Sequence, residues 1–330
     1  MDKSGRERYV MKKISIVVPT YNEEDNVEPM AEALSQLFEN ELAEYDYEIL
    51  FIDNDSADTT RIKLRKICEN NKKIKAIFNA SNFGWMRSPI YGLRQTTGDC
   101  SVLLCADFQE PVEMIPKFVK EWENGYKIVV GIKKASKESK FKYFLRSCYY
   151  NMIGKFATVD QIEHFTGFGL YDKKFIDVLR DLHDPMPYIK GIVAELGFKR
   201  KEIPYEQQQR KAGKSKGSFW NLYDTAMLGI TSYTKVFLRL ATLFGFICSG
   251  LSLVVAIVFL ILKLVLWYHF PTGMAPILIG MFLIGAVQLF FIGLLGEYIL
   301  NINVRVMDRP LVIEEERLNF DDKEREENDR

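Results

Sequence analysis

An aspartate and a glutamine, Asp107 and Gln109, stand two residues apart just after the apolar run from Cys100 to Cys105. Carboxylate and amide oxygens at this spacing in a turn can face one hard cation, and Mg²⁺ or Mn²⁺ can bridge the phosphates of a nucleotide diphosphate. The pair alone is weak evidence, because an aspartate ahead of a proline also caps helices. Both interpretations remain open at this point.

A further acid, Asp53, closes the β-branched and aromatic run Tyr47–Ile52. A carboxylate there can accept a hydrogen bond from a pyrimidine N–H, or it can cap the turn that follows. The residue type and position do not choose between these two roles.

Two basic segments offer anion-binding groups. Six basic residues against one acid occur from Lys133 to Arg146, and seven against two acids from Lys199 to Lys216. Such residues can hold a pyrophosphate or the phosphate of a lipid, or simply contact anionic lipid.

Short apolar runs that alternate with helical patterns must position these residues. Alternation of this kind predicts an α/β fold with a mostly parallel sheet. The predicted strands are Ile14–Val18, Tyr47–Ile52, Ile74–Phe78 and Cys100–Cys105, with helices at Asn26–Phe38, Thr59–Glu69 and Ser88–Gln95.

The polar groups follow the carboxyl ends of these strands. They are Thr20–Glu23, Asp53–Ser56 and Asp107–Gln109. Ligands of open α/β sheets bind outside those ends, so the sequence predicts one site at one edge.

Composition excludes several classes of protein. The 330 residues carry 44 basic and 44 acidic side chains. Because the net charge is zero, non-specific electrostatic binding to nucleic acid is not expected. The five cysteines are scattered without a C-x-x-C pair, which predicts neither a zinc site nor a disulfide framework. The N-terminus has no apolar region typical of a signal peptide.

Two long apolar segments predict a membrane anchor. Residues 240–262 carry no charge, and residues 264–296 have only His269 as a titratable group. Each exceeds the roughly 20 residues that a membrane span needs. Basic residues flank the pair and are absent from the connection His269–Met274, so both chain ends are predicted to be cytoplasmic.

The sequence therefore predicts five regions. They are an N-terminal extension (1–13), a catalytic domain (14–216), a juxtamembrane amphipathic helix (217–236), two transmembrane helices within 237–300 (about 238–266 and 275–300) and an acidic tail (301–330). Nine acids and four bases from Ile313 to Arg330 predict that the end of this tail is solvated and disordered. Small residues along the second span favour a homo-oligomer.

Several motifs together resemble a known family. Val18-Pro-Thr-Tyr-Asn-Glu23, Ile52-Asp-Asn-Asp-Ser56, Gly98-Asp99 and Ala106-Asp-Phe-Gln-Glu-Pro111 are similar to family 2 glycosyltransferases of the GT-A fold. The basic segment Arg210-Lys-Ala-Gly-Lys-Ser-Lys216 and the two-span end resemble the polyprenyl-phosphate branch, which includes dolichol-phosphate mannose synthases and bacterial polyprenyl-phosphate glucosyltransferases. The resemblance covers roughly Ile14 to Pro310.

The resemblance implies transfer of a sugar, with inversion, from a nucleotide sugar to a polyprenyl phosphate at the inner face of the cytoplasmic membrane. UDP-glucose is the first donor to consider, and undecaprenyl phosphate the first acceptor. By motif match, the nucleoside is held by Pro19, Tyr21, Glu23 and Asp53, and Mg²⁺ or Mn²⁺ by Asp107 and Gln109. Arg210, Ser215 and Lys216 bind phosphates, with Lys133 and Lys134 as weaker candidates, and the residues expected to be catalytic are Asp107, Arg210 and Lys216.

The chain departs from the family pattern at three positions. Cys105 replaces the first aspartate of the usual D-x-D-x-Q, and a thiol is a poor ligand for a hard cation. Gly167 stands where relatives often have an acid proposed as the base, and Asn54 replaces a second aspartate near the nucleotide.

Two other functions compete with this interpretation. The first is a membrane-anchored nucleotide-sugar sensor that has lost turnover, which Cys105 and Gly167 favour. The second is a processive polysaccharide synthase, which usually has more spans and a Q-x-x-R-W motif, whereas Arg210 is followed by Lys211 here.

Overall fold

A computed structural model of the chain describes residues 11–134, 162, 164–182, 184–208, 274–307 and 309–320, together with scattered helical positions between 227 and 265. The strands are β1 (Lys13–Thr20), β2 (Asp46–Asp53), β3 (Ile74–Asn79), β4 (Cys100–Leu103), β5 (Ile128–Lys133), β6 (Phe165–Asp172), β7 (Arg200–Tyr205) and β8 (Glu314–Leu318). The helices are α1 (Val27–Asn40), α2 (Thr60–Asn70), α3 (Arg87–Arg94), α4 (Ile115–Glu123), α5 (Lys173–Asp181), α6 (Ile189–Glu195) and α7 (Met274–Val306).

The described strands form one sheet in the order β7-β5-β6-β4-β1-β2-β3-β8. The ladders β1–β2, β1–β4, β2–β3 and β5–β7 are parallel, whereas β6 runs antiparallel to β4 and β5, and β8 antiparallel to β3. Six strands therefore share one direction, and β6 and β8 run against it. The predicted α/β fold is confirmed, with a mixed sheet.

Helices cover both faces of the central strands, as expected for strands that are buried on both sides. Along β1, Ile16 and Val18 belong to the apolar cluster that contains residues of α1, α2 and α4. Val17 belongs to the opposite cluster, which contains residues of α3, α5 and α6. This alternation follows from the two-residue period of a strand, and it fixes the register of β1.

The chain divides into two compact units. The first, the head, comprises residues 1–147, 161–217 and 308–330, and the second comprises residues 148–160 and 218–307. The second unit is therefore inserted into the chain of the head at two places, a short segment between β5 and β6 and a longer one between β7 and β8.

The prediction of a disordered acidic segment is wrong for residues Glu314–Leu318. These residues form β8, which pairs with β3 in the register Phe78↔Glu316 and Ile77↔Arg317. The acidic side chains meet basic partners of α2, described below, and these ion pairs reduce the repulsion that made disorder the expected state. Residues 321–330 lie outside the described part of the chain.

One described helix is long and apolar enough to cross a membrane. Within the 33 residues of α7, the segment Val287–Val306 meets this criterion, and none of it is buried inside the protein. Eleven positions of the predicted first span, 238–266, are described and are helical, and its other positions lie outside the described residues. The juxtamembrane helix predicted at 217–236 is described only at Met227 and Leu228.

Candidate active site

The ends of three neighbouring strands bring the predicted residues to one edge of the sheet. Thr20 pairs in register with Asp53 at the ends of β1 and β2, and β4 lies on the other side of β1. The turn that contains Asp107 and Gln109 follows β4 directly. The structure therefore places the loops that carry Tyr21, Asp53 and Asp107 side by side, as the sequence predicted.

Hydrogen bonds fasten the loop after β1 to the loop after β2. The Asn22 N–H donates to Ser56 Oγ at 2.8 Å, and the Ala57 N–H donates to Asn22 Oδ1 at 2.7 Å. The Glu23 N–H donates to Thr60 Oγ1 at 2.9 Å, and the Asn26 amide donates to the Glu23 carboxylate at 2.6 Å. The bonds of Asn22 and Glu23 to residues 56–60 hold the two loops together.

Three left-handed residues occur in these loops. Asn22 has φ 51°, Asp55 has φ 63° and Phe108 has φ 58°. Asparagine and aspartate tolerate this conformation, whereas a phenylalanine in it has a strained backbone. Phe108 is held there because its side chain is buried in the core.

Asp53 has partners that fit the turn-capping alternative. Its side chain is 0 % exposed and accepts hydrogen bonds from the Ser56 N–H at 3.0 Å and the Ser56 hydroxyl at 2.5 Å. Desolvation raises the pKa of Asp53, against the opposing effects of Ser56 and of Arg61, whose Nε lies 3.3 Å from Oδ2. Contact of Asp53 with a nucleoside stays a prediction.

Asp107 and Gln109 share a tight turn. The Gln109 N–H donates to Asp107 Oδ1 at 3.1 Å, and the left-handed Phe108 lies between them. Their oxygen donors fit Mg²⁺ or Mn²⁺. Among the described residues, no group of three or more His, Cys, Asp or Glu side chains is placed to hold a metal ion.

The buried acid Glu110 follows this turn. Its carboxylate accepts from the Cys105 N–H and from the Thr166 hydroxyl, both at 2.9 Å, and so joins the end of β4 to the start of β6. Burial, with a smaller contribution from Asp107, raises the pKa of Glu110 to about 7. Glu110 is not among the site residues predicted from the sequence, although it directly follows the D-x-Q motif.

Cys105 carries a neutral thiol at this site. Its side chain is exposed, yet desolvation, followed by the charges of Glu110 and Asp107, raises its pKa well above the ordinary value. A thiol is also a poor ligand for a hard cation such as Mg²⁺.

Two of the predicted basic residues are described. Lys133 ends β5, and the Lys134 N–H donates to the Tyr205 carbonyl at the end of β7. The Gln208 N–H donates to the Gln109 carbonyl at 3.1 Å, so the chain passes beside the Asp107 turn two residues before Arg210. The predicted phosphate-binding residues Arg210, Ser215 and Lys216 lie outside the described residues.

The glycines of β6 have structural reasons. Gly167 has φ 111°, a conformation that side-chain-bearing residues rarely adopt. A Cβ on Gly169 would stand 2.5 Å from the Val129 carbonyl oxygen, so β5 and β6 can pair this closely only with glycine there. The backbone conformation at position 167, where the family pattern has an acid, therefore favours glycine in this chain.

Asn54 organises the loop that follows β3. This loop is not part of the site predicted from the sequence. Its Oδ1 accepts from the Asn79 amide at 3.0 Å and from the Phe83 N–H at 2.9 Å, and its Nδ2 donates to Asn82 Oδ1 at 2.8 Å. The half-exposed Trp85 follows in this loop. An asparagine can make these bonds because it carries both a donor and an acceptor, whereas an ionised aspartate only accepts.

The motif Gly98-Asp99, which contributes to the family resemblance, lies away from this edge of the sheet. It precedes β4 and meets the start of β1, where the Lys13 N–H donates to Asp99 Oδ2 at 2.9 Å. A Cβ on Gly98 would stand 2.8 Å from the Lys13 carbonyl oxygen. This motif therefore shapes the opposite end of the strands.

The fold and site define an α/β protein whose strand-end loops carry an oxygen-donor turn suited to a cation. The chain belongs to glycosyl transferase family 2, whose family model, described as "Glycosyl transferase family 2", matches residues 15–192. It is a glycosyltransferase.

Relatives match almost the whole chain. It is 30 % identical over 302 residues to an uncharacterized glycosyltransferase, sll0501, of Synechocystis, covering 91 % of this chain and 94 % of that protein. It is 29 % identical over 299 residues to the bactoprenol glucosyl transferase of Shigella phage SfX, covering 90 % and 97 %. Among solved structures, a mannosyltransferase from Pyrobaculum calidifontis in complex with GDP-Man and Mn²⁺ matches with a TM-score of 0.45 and 16 % identity, over 68 % of this chain and 63 % of that one. At that level of likeness neither donor nor metal follows for this chain.

Proposed function

We propose that this protein transfers a sugar from a nucleotide diphosphate sugar, with UDP-glucose as the first choice, to a polyprenyl phosphate. The observation that carries the proposal is the Asp107–Gln109 turn, which lies at the carboxyl end of β4 beside the loops after β1 and β2. The near full-length match to a relative named bactoprenol glucosyl transferase supports the acceptor.

In the reaction, an oxygen of the acceptor phosphate forms a bond to the anomeric carbon, and the bond from that carbon to the nucleotide diphosphate breaks. The leaving diphosphate takes the electron pair, and in-line displacement inverts the anomeric centre. The acceptor oxygen is already anionic near neutral pH, so a strong base is not required. This agrees with a glycine, Gly167, where relatives often have an acid.

The residues of the turn serve the leaving group. Asp107 and Gln109 would hold Mg²⁺ or Mn²⁺, which when bound supplies positive charge to the leaving diphosphate. Tyr21, Pro19, Glu23 and Asp53 are assigned to the nucleoside, and Arg210, Ser215 and Lys216 to the phosphates; each of these assignments rests on the motif match.

The exposed apolar helix α7 supports attachment to a lipid bilayer, where the acceptor resides. We assign the protein to the cytoplasmic membrane as a two-span protein with both ends in the cytoplasm, and as a homo-oligomer through its spans. The product would serve glycan modification of the cell envelope.

The test is a transfer assay with the purified full-length protein in detergent, undecaprenyl phosphate, Mg²⁺ or Mn²⁺ and a panel of radiolabelled nucleotide sugars. We expect label from UDP-glucose in the organic phase, and a loss of about 100-fold or more in Asp107→Asn, because the leaving diphosphate loses its charge stabilisation.

Asp99→Asn is the matched control. Like Asp107, Asp99 accepts a backbone N–H, but at the opposite end of the sheet. It should retain transfer. If the protein binds a nucleotide but transfers sugar from none of the donors, the proposed activity is overturned and the alternative of a nucleotide-sugar sensor is favoured.

A further inference from the structure

Arg61 of α2 lies between the candidate site and the C-terminal strand. Its Nε is 3.3 Å from Asp53 Oδ2, and its Nη2 donates to Glu315 Oε2 of β8 at 2.5 Å. The guanidinium stacks over the Phe78 ring, with its central carbon 5.1 Å from the ring centroid, and the side chain is 19 % exposed. One planar cation therefore joins a buried carboxylate at the site to an acid on β8.

β8 is fixed firmly enough to hold Glu315 in place. Beyond its pairing with β3, the Asn319 amide donates to the carbonyls of Cys68 and Ile74, both at 2.7 Å, and thereby ties the end of β8 to the end of α2 and the start of β3. Arg65, one turn after Arg61, donates to Glu316 Oε2 at 2.5 Å. The strand is thus fastened to α2 by two parallel arginine–glutamate pairs.

We propose that Arg61 and Glu315 are positioning residues for the donor nucleotide: Glu315 orients the Arg61 guanidinium, and Arg61 holds the Asp53 carboxylate in its present orientation. The inference rests on the proposed function, because it assigns Asp53 to the nucleoside. It gives the C-terminal strand, which follows the apolar helix in the chain, a role in donor affinity.

The electrostatics support this role. Burial favours the neutral form of Asp53, and Arg61 is the cation that acts against burial. An ionised carboxylate only accepts hydrogen bonds, and that is the form a pyrimidine N–H requires. Glu315 is 53 % exposed, so solvent screens its pair with Arg61 and the effect of its removal is modest.

The chain offers a closely matched pair of variants. Glu315→Gln and Glu316→Gln each remove one charge from β8, each at an arginine 2.5 Å away that stacks on Phe78. Only Arg61 of the two arginines makes an ion pair with Asp53. A purely structural effect of weakening β8 would appear in both variants.

The experiment measures the donor KM and kcat of the full-length protein in detergent, and the Kd for UDP by calorimetry. We expect Glu315→Gln to raise KM and Kd about threefold to tenfold with kcat little changed, and Glu316→Gln to leave all three within about twofold. Arg61→Lys should raise KM further, because an ammonium cannot contact both carboxylates with a planar fork.

Equal effects of the two glutamine variants, or an unchanged KM in Glu315→Gln, would overturn the inference while leaving the proposed function intact. A wild-type protein that neither transfers sugar nor binds any nucleotide of the panel would overturn both. The melting temperatures of the two glutamine variants, compared with each other, show whether β8 is weakened equally.

Discussion

Cys105 sets the charge of the candidate metal turn. A protonated thiol there adds no negative charge beside Asp107, and Glu110, whose pKa is raised to about 7, is partly protonated at neutral pH. A site with few negative ligands binds a free cation weakly, because affinity for divalent cations rises with the charge count of the ligands. The cation is therefore expected to arrive mainly with the nucleotide.

Replacement of Cys105 by aspartate should therefore change the affinity of the turn for a free divalent cation. Adding a carboxylate should tighten Mn²⁺ binding in the absence of nucleotide by about tenfold or more, since a hard oxygen ligand replaces a neutral thiol. Titration of Mn²⁺ followed by electron paramagnetic resonance measures the change, and Cys105→Ser serves as the uncharged control. Equal affinity in the aspartate and serine variants would show that this position does not face the cation.

At this scale the sequence could predict which residues share the edge, but not what they contact. Asp107 and Gln109 were found because their types and spacing carry information on their own. Glu110 could not be recognised in this way, since burial raises its pKa and its hydrogen-bond partner Thr166 is 56 residues away in the chain. The sequence shows only that Asn54 replaces an aspartate, whereas the fold reveals that its side chain fixes the loop after β3.

At the level of elements, strands and helices followed from periodicity, and the predicted strands lie within one or two residues of β1 to β4. β8 could not be found in this way, because its Glu-Glu-Glu-Arg-Leu sequence lacks the apolar alternation of a strand. Its position depends on partners in α2 and β3 that are more than 240 residues distant in the chain.

The amino ends of the central strands share one buried charge cluster. Glu48 of β2 accepts from Lys13 Nζ of β1 at 2.9 Å and lies 3.0 Å from Lys75 Nζ of β3. Burial alone would raise the pKa of Glu48, but Lys75, Lys13 and the Ser15 hydroxyl outweigh it and lower the pKa to about 2. The cluster ties three strands together at the end opposite the candidate site.

Glu48→Gln should therefore destabilise the head without acting on the chemistry. We expect a loss of about 2–4 kcal/mol at pH 7, because two lysines lose a buried carboxylate. A lowered pKa gives stability that is complete above the ordinary pKa of about 4.5 and is lost as the pH falls toward 2, so the difference from wild type should shrink in that window.

Thermal unfolding at a series of pH values measures this effect. Asp46→Asn, which removes an exposed pair with Lys73 from the same strand, is the control and should cost less than about 1 kcal/mol. A difference between wild type and Glu48→Gln that did not depend on pH would contradict the argument.

For the whole molecule, β8 constrains how the chain can cross a membrane. Tyr205 of β7 and Glu314 of β8 belong to one sheet, and an open sheet cannot lie across a bilayer. Both ends of the segment between them are therefore on one side, and this segment must cross an even number of times. If α7 crosses, a second crossing must occur before it, where the sequence predicts residues 238–266.

Single-cysteine labelling tests this topology. In a variant with its five cysteines replaced by serine, we expect Thr272→Cys to react with an impermeant maleimide on intact cells, and Arg325→Cys to react only after permeabilisation. The two positions differ because the first lies in the predicted outer connection and the second follows β8. Equal reactivity of the two on intact cells would contradict an even number of crossings with α7 as one of them.

Because β8 follows α7 in the chain, β3 lacks its outer neighbour during synthesis until α7 is complete. The ribosome completes β1 to β7 and then the whole of α7 before the strand that covers the outer edge of β3 exists. Until then β3 offers free backbone groups, which are a template for pairing with other chains. A soluble head for crystallisation is therefore better made by joining residues 309–320 to the head through a linker than by ending the chain before α7.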